Sequence, residues 1–347
     1  MLVFSDKRVT SQMTEEPKVS IIIPCKEINN FVEECIKYCL GLDYKHFEII
    51  LLPDSKIEKK FPKTKIIPTG SVHPSIKRNI GIEHSDSPII ASIDSDAYPR
   101  KDWLTEAIKI LEYQDIGGVS GPNLAPLDAT IFEKAAITIV YSKLGHSTAT
   151  VFGKYGHIRE AKLAKELQSS NFIYKRCTAN EVHGYDAQLA TGEDTLISYK
   201  IRASGKKLIY SPLVVVYHHR RPLFVRHLKR VAEQATDKAI ILKSHVAFDN
   251  MIFFVPSLFV LGLISGIVLS FLSHFMMAAY LTIVGIYIMF ILNESRKAAS
   301  LVEGFLIFIG LPLTHIWYGV GFLRGFFLKK YIVSGLLFVS HPNQGDT

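Results

Sequence analysis

Charged residues are missing from one long part of this 347-residue chain. Between Met251 and Asn293 there is no Asp, Glu, Lys or Arg, although the whole sequence has 40 Lys and Arg and 32 Asp and Glu. At about 1.5 Å per residue, a helical segment of that length is long enough to cross a ~30 Å hydrocarbon core twice. The lack of charge argues against a wholly soluble protein and predicts a transmembrane hairpin over residues 250–293, with its turn at Ser273 and His274.

Cysteine is scarce as well, with four residues in the chain. Cys35 and Cys39 fall on one face of a predicted helix, and no spacing is that of a zinc finger, so we expect reduced packing residues rather than a cysteine metal site. Residues 1–17 are polar and mixed in charge and are predicted to be a tail. They contain no apolar stretch of signal-peptide length, so the domain that follows is expected to be cytoplasmic.

A third apolar segment covers residues 301–328, before a predicted tail at 329–347. It is long enough to span a membrane, but it contains Pro312 and several glycines, which weaken or kink a helix. Three crossings would place Arg324 opposite the basic N-terminal domain, against the positive-inside tendency. Two interpretations stay open here, a full crossing and a re-entrant or interfacial segment broken at Pro312.

Basic and apolar side chains alternate over residues 222–249, just before the hairpin. This pattern predicts an amphipathic segment on the membrane surface, with an ordinary surface helix as the alternative. The formal net charge of +8 fits anionic phospholipid headgroups or a phosphate-bearing substrate. Nucleic acid is not expected as a partner, because the charge is not interleaved with exposed aromatic residues on a compact basic domain.

The N-terminal part alternates apolar runs with helical stretches, which is typical of an α/β fold with a mostly parallel, Rossmann-like sheet. In such sheets ligands collect beyond the carboxyl ends of the strands, where Pro24, Asp54 and Asp94 lie. A variable loop or short helix is expected at 148–170. Strands are predicted at 19–23, 47–52, 65–67, 88–93, 117–122, 172–174, 207–210 and 213–217, and helices at 31–40, 75–83, 101–113, 129–143 and 194–203.

Two aspartates directly follow the fourth predicted strand. Alternate residues of a strand face the same side, so Asp94 and Asp96 can share a hard divalent cation. An Asp-x-Asp tripeptide alone is a weak signal. Here it is joined by the segment 19–27 upstream and by Gly192-Glu193-Asp194-Thr195 downstream, and the three together are specific.

Taken together, the residues from Val19 to Ala239 resemble glycosyltransferase family 2, the inverting nucleotide-sugar enzymes with a GT-A fold. The chain is therefore expected to have a GT-A domain at 18–221 followed by C-terminal transmembrane helices. The segment His315 to Phe322 is similar to membrane members that build envelope polysaccharides, such as succinoglycan-type glucosyltransferases. The motifs that carry the resemblance are residues 19–24, Lys77 to Ile82, Ile93 to Asp96, His183 to Asp186, Gly192 to Asp194, Ser211-Pro212 and His218 to Arg221.

The resemblance implies a binding site for a nucleotide-diphosphate-sugar, such as a UDP- or GDP-sugar. The loop after the first strand would seat the base and ribose together with Asp54, and Lys77 and Arg78 would offer fixed positive charge to the diphosphate. The residues implied to bind the donor are Pro24, Lys26, Glu27, Asp54, Lys77, Arg78, Asp94, Ser95 and Asp96.

A metal ion is implied at the same place. Asp94 and Asp96 would hold Mg²⁺ or Mn²⁺ against the diphosphate and neutralise the charge that grows on the leaving group. His218 is a candidate third ligand, and His219 and a purely structural histidine are the alternatives.

Asp194, with Glu193 beside it, matches the catalytic-base motif of the family. Inversion in one displacement needs a carboxylate to take the acceptor proton, although a carboxylate at a helix start also serves as a cap. A sugar hydroxyl needs that deprotonation and a lipid phosphate does not, so a saccharide hydroxyl is the favoured acceptor.

One family motif is missing. Processive members carry Gln-x-x-Arg-Trp after the base, and the stretch Phe224 to Gln234 has no such motif, so single-sugar transfer is expected. The predicted protein is a multi-pass membrane enzyme that acts at the cytoplasmic face on a lipid-linked or cell-envelope saccharide. The alternatives are a polyprenyl-phosphate sugar synthase and a catalytically silent membrane assembly subunit.

Overall fold

The structure is a computed structural model that describes residues 16–142, 157–161, 167–187, 192–244 and 254–327. The predicted C-terminal tail and most of the predicted loop at 148–170 lie outside the described residues, as do residues 1–15 of the predicted N-terminal tail.

The described part contains eleven strands and ten helices. The strands are β1 Val19–Pro24, β2 Phe47–Leu52, β3 Thr64–Ile66, β4 Ile89–Ile93, β5 Ala97–Pro99, β6 Ile116–Ser120, β7 Asn123–Leu124, β8 Arg159–Glu160, β9 Asn171–Lys175, β10 Lys207–Tyr210 and β11 Val216–His218. The helices are α1 Asn30–Leu40, α2 Pro74–Glu83, α3 Trp103–Leu111, α4 Ile131–Tyr141, α5 Arg176–Glu181, α6 Glu193–Ala203, α7 Val225–Ser244, α8 Val255–Ser270, α9 His274–Ser295 and α10 Leu301–Phe327.

The main sheet has eight strands in the order β3-β2-β1-β4-β9-β6-β10-β8. Strands β3, β2, β1 and β4 run parallel to one another, as do β6 and β10, whereas β9 is antiparallel to both β4 and β6. The sheet is therefore mixed, and its N-terminal half is parallel as predicted. Every residue of β1 is buried, which is why it is an almost unbroken β-branched run.

Helix α1 shows how closely local sequence determines this half. The Asn29 side chain accepts hydrogen bonds from the backbone N–H groups of Phe31 and Val32, and the helix ends before Gly41, as the sequence predicts. Four short elements were not predicted, namely β5, β7, β8 and α5. The last predicted strand begins at Val216 rather than Leu213.

A second, three-stranded sheet in the order β5-β11-β7 lies beside the first. Strand β5 begins directly after the Asp94 to Asp96 turn, and β11 pairs with it so that His218 lies opposite Ala97. This small sheet brings the chain from residue 218 back to the carboxyl end of β4. It therefore completes the edge of the main sheet where ligands are expected.

The predicted hairpin is formed by α8 and α9, and the turn lies where it was expected, with Ser273 capping α9. Helix α9 and helix α10 are long and apolar enough to cross a membrane by length and composition, whereas α8, at 16 residues, is shorter. One of the two interpretations of the third apolar segment placed a break at Pro312, whereas α10 continues through Pro312 as one helix of 27 residues.

The glycines of α10 explain why this helix stays whole. A Cβ at Gly321 would lie 2.5 Å from the carbonyl oxygen of Ala232, and one at Gly325 would lie 2.4 Å from that of Thr236, both on α7. These glycines let two backbones approach closely, and the resulting contacts compensate for their weak helix propensity.

Helix α7 is the predicted amphipathic segment, and its apolar face has a protein partner. Buried Val231, Ala235 and Ala239 pack against Tyr318 and Phe322 of α10. The amphipathic pattern is therefore satisfied by α10 in the described residues. The predicted contact of this segment with a membrane stays a prediction.

Substitution of Gly321 tests the close approach of α7 and α10. We expect Gly321→Leu to lower the free energy of unfolding by about 1–3 kcal/mol, because the new side chain meets a backbone carbonyl that cannot move aside alone. Gly285→Leu is the matched control, since a Cβ there has nothing within 4 Å. Thermal unfolding of both variants in detergent measures the difference, and equal melting temperatures would contradict the packing.

Candidate active site

The predicted metal ligands meet at the carboxyl end of β4. Asp94 and Asp96 flank Ser95 in a tight turn in which the Ala97 N–H donates to the Asp94 carbonyl oxygen at 3.1 Å. The Nε2 atom of His218 lies 3.0 Å from Oδ1 of Asp96. One potential ligand atom from each of Asp94, Asp96 and His218 lies within 4.8 Å of the others, so the three can bind a single cation.

The two adjacent histidines face different partners. The Nδ1 atom of His218 is buried and has no hydrogen-bond partner among the described residues, whereas its Nε2 atom faces Asp96. In contrast, Nε2 of His219 lies 2.7 Å from Glu34 Oε2, and its ring lies against Phe31. The alternation of side chains along β11 therefore selects His218 for the cluster.

Asp96 remains ionised at all ordinary pH values. Desolvation at the sheet edge favours its neutral form, but His218 and Arg220 outweigh that effect and lower its pKa to about 2. Its side chain is 49% exposed, so it can reach a ligand in the cleft. Two carboxylates and one imidazole are a donor set that fits Mn²⁺ or Mg²⁺.

Arg78 links this cluster to the predicted base motif. Its guanidinium, 4% exposed, donates to Asp94 Oδ1 at 2.8 Å, to Glu193 Oε1 at 3.0 Å and to the Ser92 hydroxyl at 3.1 Å. It also lies over the ring of Tyr185. Desolvation disfavours the charge, but the two carboxylates outweigh it and raise the pKa of the guanidinium.

Lys77 is held by neighbouring protein groups. Its ammonium group is buried and donates to Cys25 O at 2.5 Å, to Leu52 O at 3.2 Å and to the Asp54 carboxylate. These three acceptors use all three of its protons. Lys77 ties Asp54 to the ends of β1 and β2, and its predicted contact with a diphosphate stays a prediction.

The other predicted nucleotide contacts line the same edge. Pro24 ends β1, and the exposed Lys26 and Glu27 follow it on the loop. The Asp54 N–H donates to the Lys26 carbonyl oxygen at 2.9 Å, which joins this loop to the loop after β2. The structure thus brings Asp54 and the first loop together, and their contact with a nucleotide stays a prediction.

Asp194 stands in the first turn of α6, next to Glu193. The turn is entered through Gly192, whose φ of +79° is in the left-handed region that glycine tolerates. Desolvation and the neighbouring Glu193 carboxylate raise the pKa of Asp194 to about 7. Its Oδ1 accepts a hydrogen bond from the Thr195 N–H at 2.8 Å. Asp194 therefore makes a contact at the start of the helix and also has a raised pKa.

Two further residues of the site were missed from the sequence. Arg220 follows the two histidines, and its Nη2 lies 3.5 Å from the Tyr141 hydroxyl on α4. Its Nε is buried and has no hydrogen-bond partner in the part of the chain that the structure describes. Tyr185, under the Arg78 guanidinium, is held by Asn79, which accepts from its N–H and donates to its carbonyl oxygen, both at 2.8 Å. Both residues lie within motifs that carry the family resemblance, His183 to Asp186 and His218 to Arg221, and that position was the sequence signal for them.

Three features meet at one end of the α/β sheet. They are the acidic cation cluster, the edge formed by the loop after β1 and Asp54, and the Asp194 carboxyl group, whose pKa is raised. Residues 20–182 match the family model Glycosyl transferase family 2. The fold resembles that of the mannosyltransferase PcManGT from Pyrobaculum calidifontis, solved in complex with GDP-Man and Mn²⁺, with a TM-score of 0.51 and 17% identity over 89% of this chain and 88% of that one.

Curated glycosyltransferases are similar to part of this chain. Pre-mycofactocin glycosyltransferase of Mycobacterium tuberculosis is 23% identical over 151 residues, which is 43% of this chain and 30% of that protein. Glycosyltransferase GlyA of Streptococcus pneumoniae is 21% identical over 210 residues, or 57% of this chain and 30% of that protein. The chain thus spans less than a third of these relatives.

The fold and the site define a GT-A nucleotide-sugar-binding domain. The part of the domain that matches the model of glycosyltransferase family 2 is residues 20–182.

The two histidines offer a matched pair for testing the metal cluster. We expect His218→Gln to weaken Mn²⁺ binding at least several-fold, because it removes an imidazole ligand, and His219→Gln to leave it nearly unchanged, because that ring is bonded to Glu34. Calorimetric titration of each variant with Mn²⁺ measures the effect. A larger loss in the His219 variant would show that the ligand was assigned to the wrong residue.

The raised pKa of Asp194 also predicts how stability varies with pH. Between about pH 4 and 7 the folded state holds a proton there that the unfolded state has released, so this group makes the protein less stable as pH rises. Asp194→Asn should therefore melt at a higher temperature than the wild type at pH 8 and at nearly the same temperature at pH 4. Melting curves at both pH values test this, and a difference independent of pH would refute the assignment.

Proposed function

We propose that the protein is a membrane-anchored inverting glycosyltransferase. It transfers one sugar from a nucleotide-diphosphate-sugar to a hydroxyl of a lipid-linked or cell-envelope saccharide at the cytoplasmic face. The observation that carries the proposal is the Arg78 guanidinium, which holds Asp94 of the cation cluster and Glu193 of the base motif at once. Through Arg78, the residues proposed to bind the metal and the donor lie next to the residues proposed to remove the acceptor proton.

Each residue has a separate task in this reaction. A divalent ion held by Asp94, Asp96 and His218 would neutralise charge that develops on the leaving diphosphate. Asp54 and the loop after β1 bind the nucleoside. Arg220 adds a partly buried positive charge beside Asp96, where the diphosphate would lie.

Asp194 takes the proton of the acceptor hydroxyl. A base is most effective when its pKa lies near the working pH, and a pKa of about 7 gives Asp194 more proton affinity than an ordinary aspartate. Arg78 holds the Glu193 carboxylate beside it, and the charge of that carboxylate helps to raise the pKa of Asp194. In this proposal Arg78 is a positioning residue rather than a group that contacts substrate.

The donor and the membrane setting rest on separate observations. The mannosyltransferase neighbour was solved with GDP-Man and Mn²⁺, so a GDP-sugar and Mn²⁺ are the first combination to test. Helices α8 and α9 expose an apolar surface that includes Ile264, Val268, Phe275 and Met289, which fits an anchor in phospholipid.

The decisive experiment uses the full chain in detergent or nanodiscs with UDP- and GDP-sugars, Mn²⁺ and lipid extract as acceptor. We expect metal-dependent transfer that chelator abolishes, with kcat/KM rising with pH through about 7. Asp194→Asn should lose at least about 100-fold in transfer while keeping nucleotide affinity, and Asp96→Ala should weaken Mn²⁺-dependent nucleotide binding. Asp115→Asn, exposed and paired with Lys207, is the control.

The outcomes separate the alternatives. A lengthened lipid-linked saccharide, seen by mass spectrometry, supports the proposal, whereas a sugar joined directly to lipid phosphate identifies a polyprenyl-phosphate sugar synthase. Absence of both transfer and nucleotide-sugar hydrolysis with every donor would indicate an assembly subunit. Normal turnover by Asp194→Asn would overturn the base assignment.

A further inference from the structure

Helix α10 has the length of a membrane span, but its neighbour α7 is charged. The two helices run side by side and in the same direction for several turns. His227 Nε2 lies 3.1 Å from the Thr314 hydroxyl, and the Thr236 hydroxyl donates to the Gly321 carbonyl oxygen at 2.9 Å. Whatever direction α10 takes relative to a bilayer, α7 takes the same one.

The outer face of α7 cannot follow α10 across a membrane. Arg226, Lys229 and Glu233 are exposed on it, along the same turns that pack on α10. A crossing by α10 would carry these side chains into hydrocarbon, where charged groups are strongly disfavoured. The close contact of the two helices therefore excludes the crossing that the length of α10 alone allows.

The opposite face of α10 is apolar, and no residue in the described part of the chain covers it. Val302, Phe305, Ile309, Val320 and Phe327 are spaced three, four or multiples of such steps apart, so they share one face of the helix, and each is at least 36% exposed. The α7–α10 pair thus has a charged surface on the outer side of α7, a packed contact between the two helices and an apolar stripe on the outer side of α10. This is the cross-section of an element that lies in the plane of a membrane surface.

Both ends of α10 pack against helices on the side of the N-terminal domain, its start against α4 and its end against α7. At its start, the buried Glu303 carboxylate accepts from the Thr138 hydroxyl of α4 at 3.2 Å and from the Ala299 N–H at 3.1 Å. At its end, Gly325 packs on Thr236 and Ala239 of α7. The helix therefore begins and ends beside elements that belong to, or directly continue from, the glycosyltransferase domain.

We infer that α10 lies in the membrane plane, as a shelf between α7 and the lipid, and does not cross. The occupant of its apolar stripe is the headgroup and upper acyl region of a phospholipid leaflet. Arg324 is then on the same side as the catalytic domain, which removes the conflict with the positive-inside tendency. Among the described helices, the α8–α9 hairpin is the element that enters the bilayer.

Sidedness of cysteine labelling tests the inference without any need for catalysis. Cys177 is exposed on the catalytic domain, and Cys25, Cys35 and Cys39 are buried, so the wild type reports the domain side. Arg296→Cys and Arg324→Cys, each in a Cys177→Ser background, report the two ends of the shelf. A membrane-impermeant maleimide is applied to sealed vesicles of both orientations.

We expect both introduced cysteines to react in the vesicle orientation in which Cys177 reacts. Reaction of Arg324→Cys only in the opposite orientation would overturn the inference, and so would reaction only after detergent is added. Melting curves of both variants confirm that they remain folded. Because labelling does not depend on turnover, its failure is distinguishable from failure of the proposed function.

Fluorescence of Trp317 gives a second readout. The chain has two tryptophans, and Trp103 is fully buried in the domain core, so Trp103→Phe leaves Trp317, which is 44% exposed and lies just past the middle of α10. Nitroxide lipids labelled near the headgroup should quench it more than lipids labelled at the acyl terminus. Stronger quenching by the deep label would place Trp317 near the bilayer centre and refute the in-plane orientation.

Discussion

The active end of this domain depends on one buried guanidinium that bridges two carboxylates. Arg78 holds Asp94 at the end of β4 and Glu193 at the start of α6, although 115 residues separate Arg78 from Glu193 in sequence. Neither carboxylate could be desolvated to this degree without a fixed counter-charge. Removal of the guanidinium would leave two acidic groups repelling each other in the cleft, so the geometry of donor and acceptor sites rests on it.

The sequence predicts the parallel half of the fold well because the physical signals there are local. Buried strands such as β1 are β-branched runs, and α1 carries its own cap and stop. The strands that were missed are β5, β7 and β8, each of two or three residues, which are held by pairing with distant partners rather than by propensity.

The site shows the same division. The carboxylates of the metal cluster were predictable from alternation at a strand end, whereas the fates of two neighbouring basic residues were not. Lys77 and Arg78 carry the same charge, so the sequence does not distinguish them. In the structure, Lys77 donates to carbonyl oxygens at the ends of β1 and β2 and to Asp54, whereas Arg78 donates to the carboxylates of Asp94 and Glu193. In α10, likewise, poor helix propensity left a break open as one interpretation, and the close packing of Gly321 and Gly325 on α7 could not be predicted from the sequence.

The connection between His218 and the start of α7 at Val225 is short, and this limits how far the cation cluster can lie from α7. Only six residues separate His218 of the cation cluster from the first residue of α7. In the proposed arrangement, with α7 and α10 on the membrane surface, this connection would hold the cluster close to the lipid. The proposed enzyme would then act best on a saccharide whose growing end stands near its lipid, because a long glycan would extend past the cluster into solution.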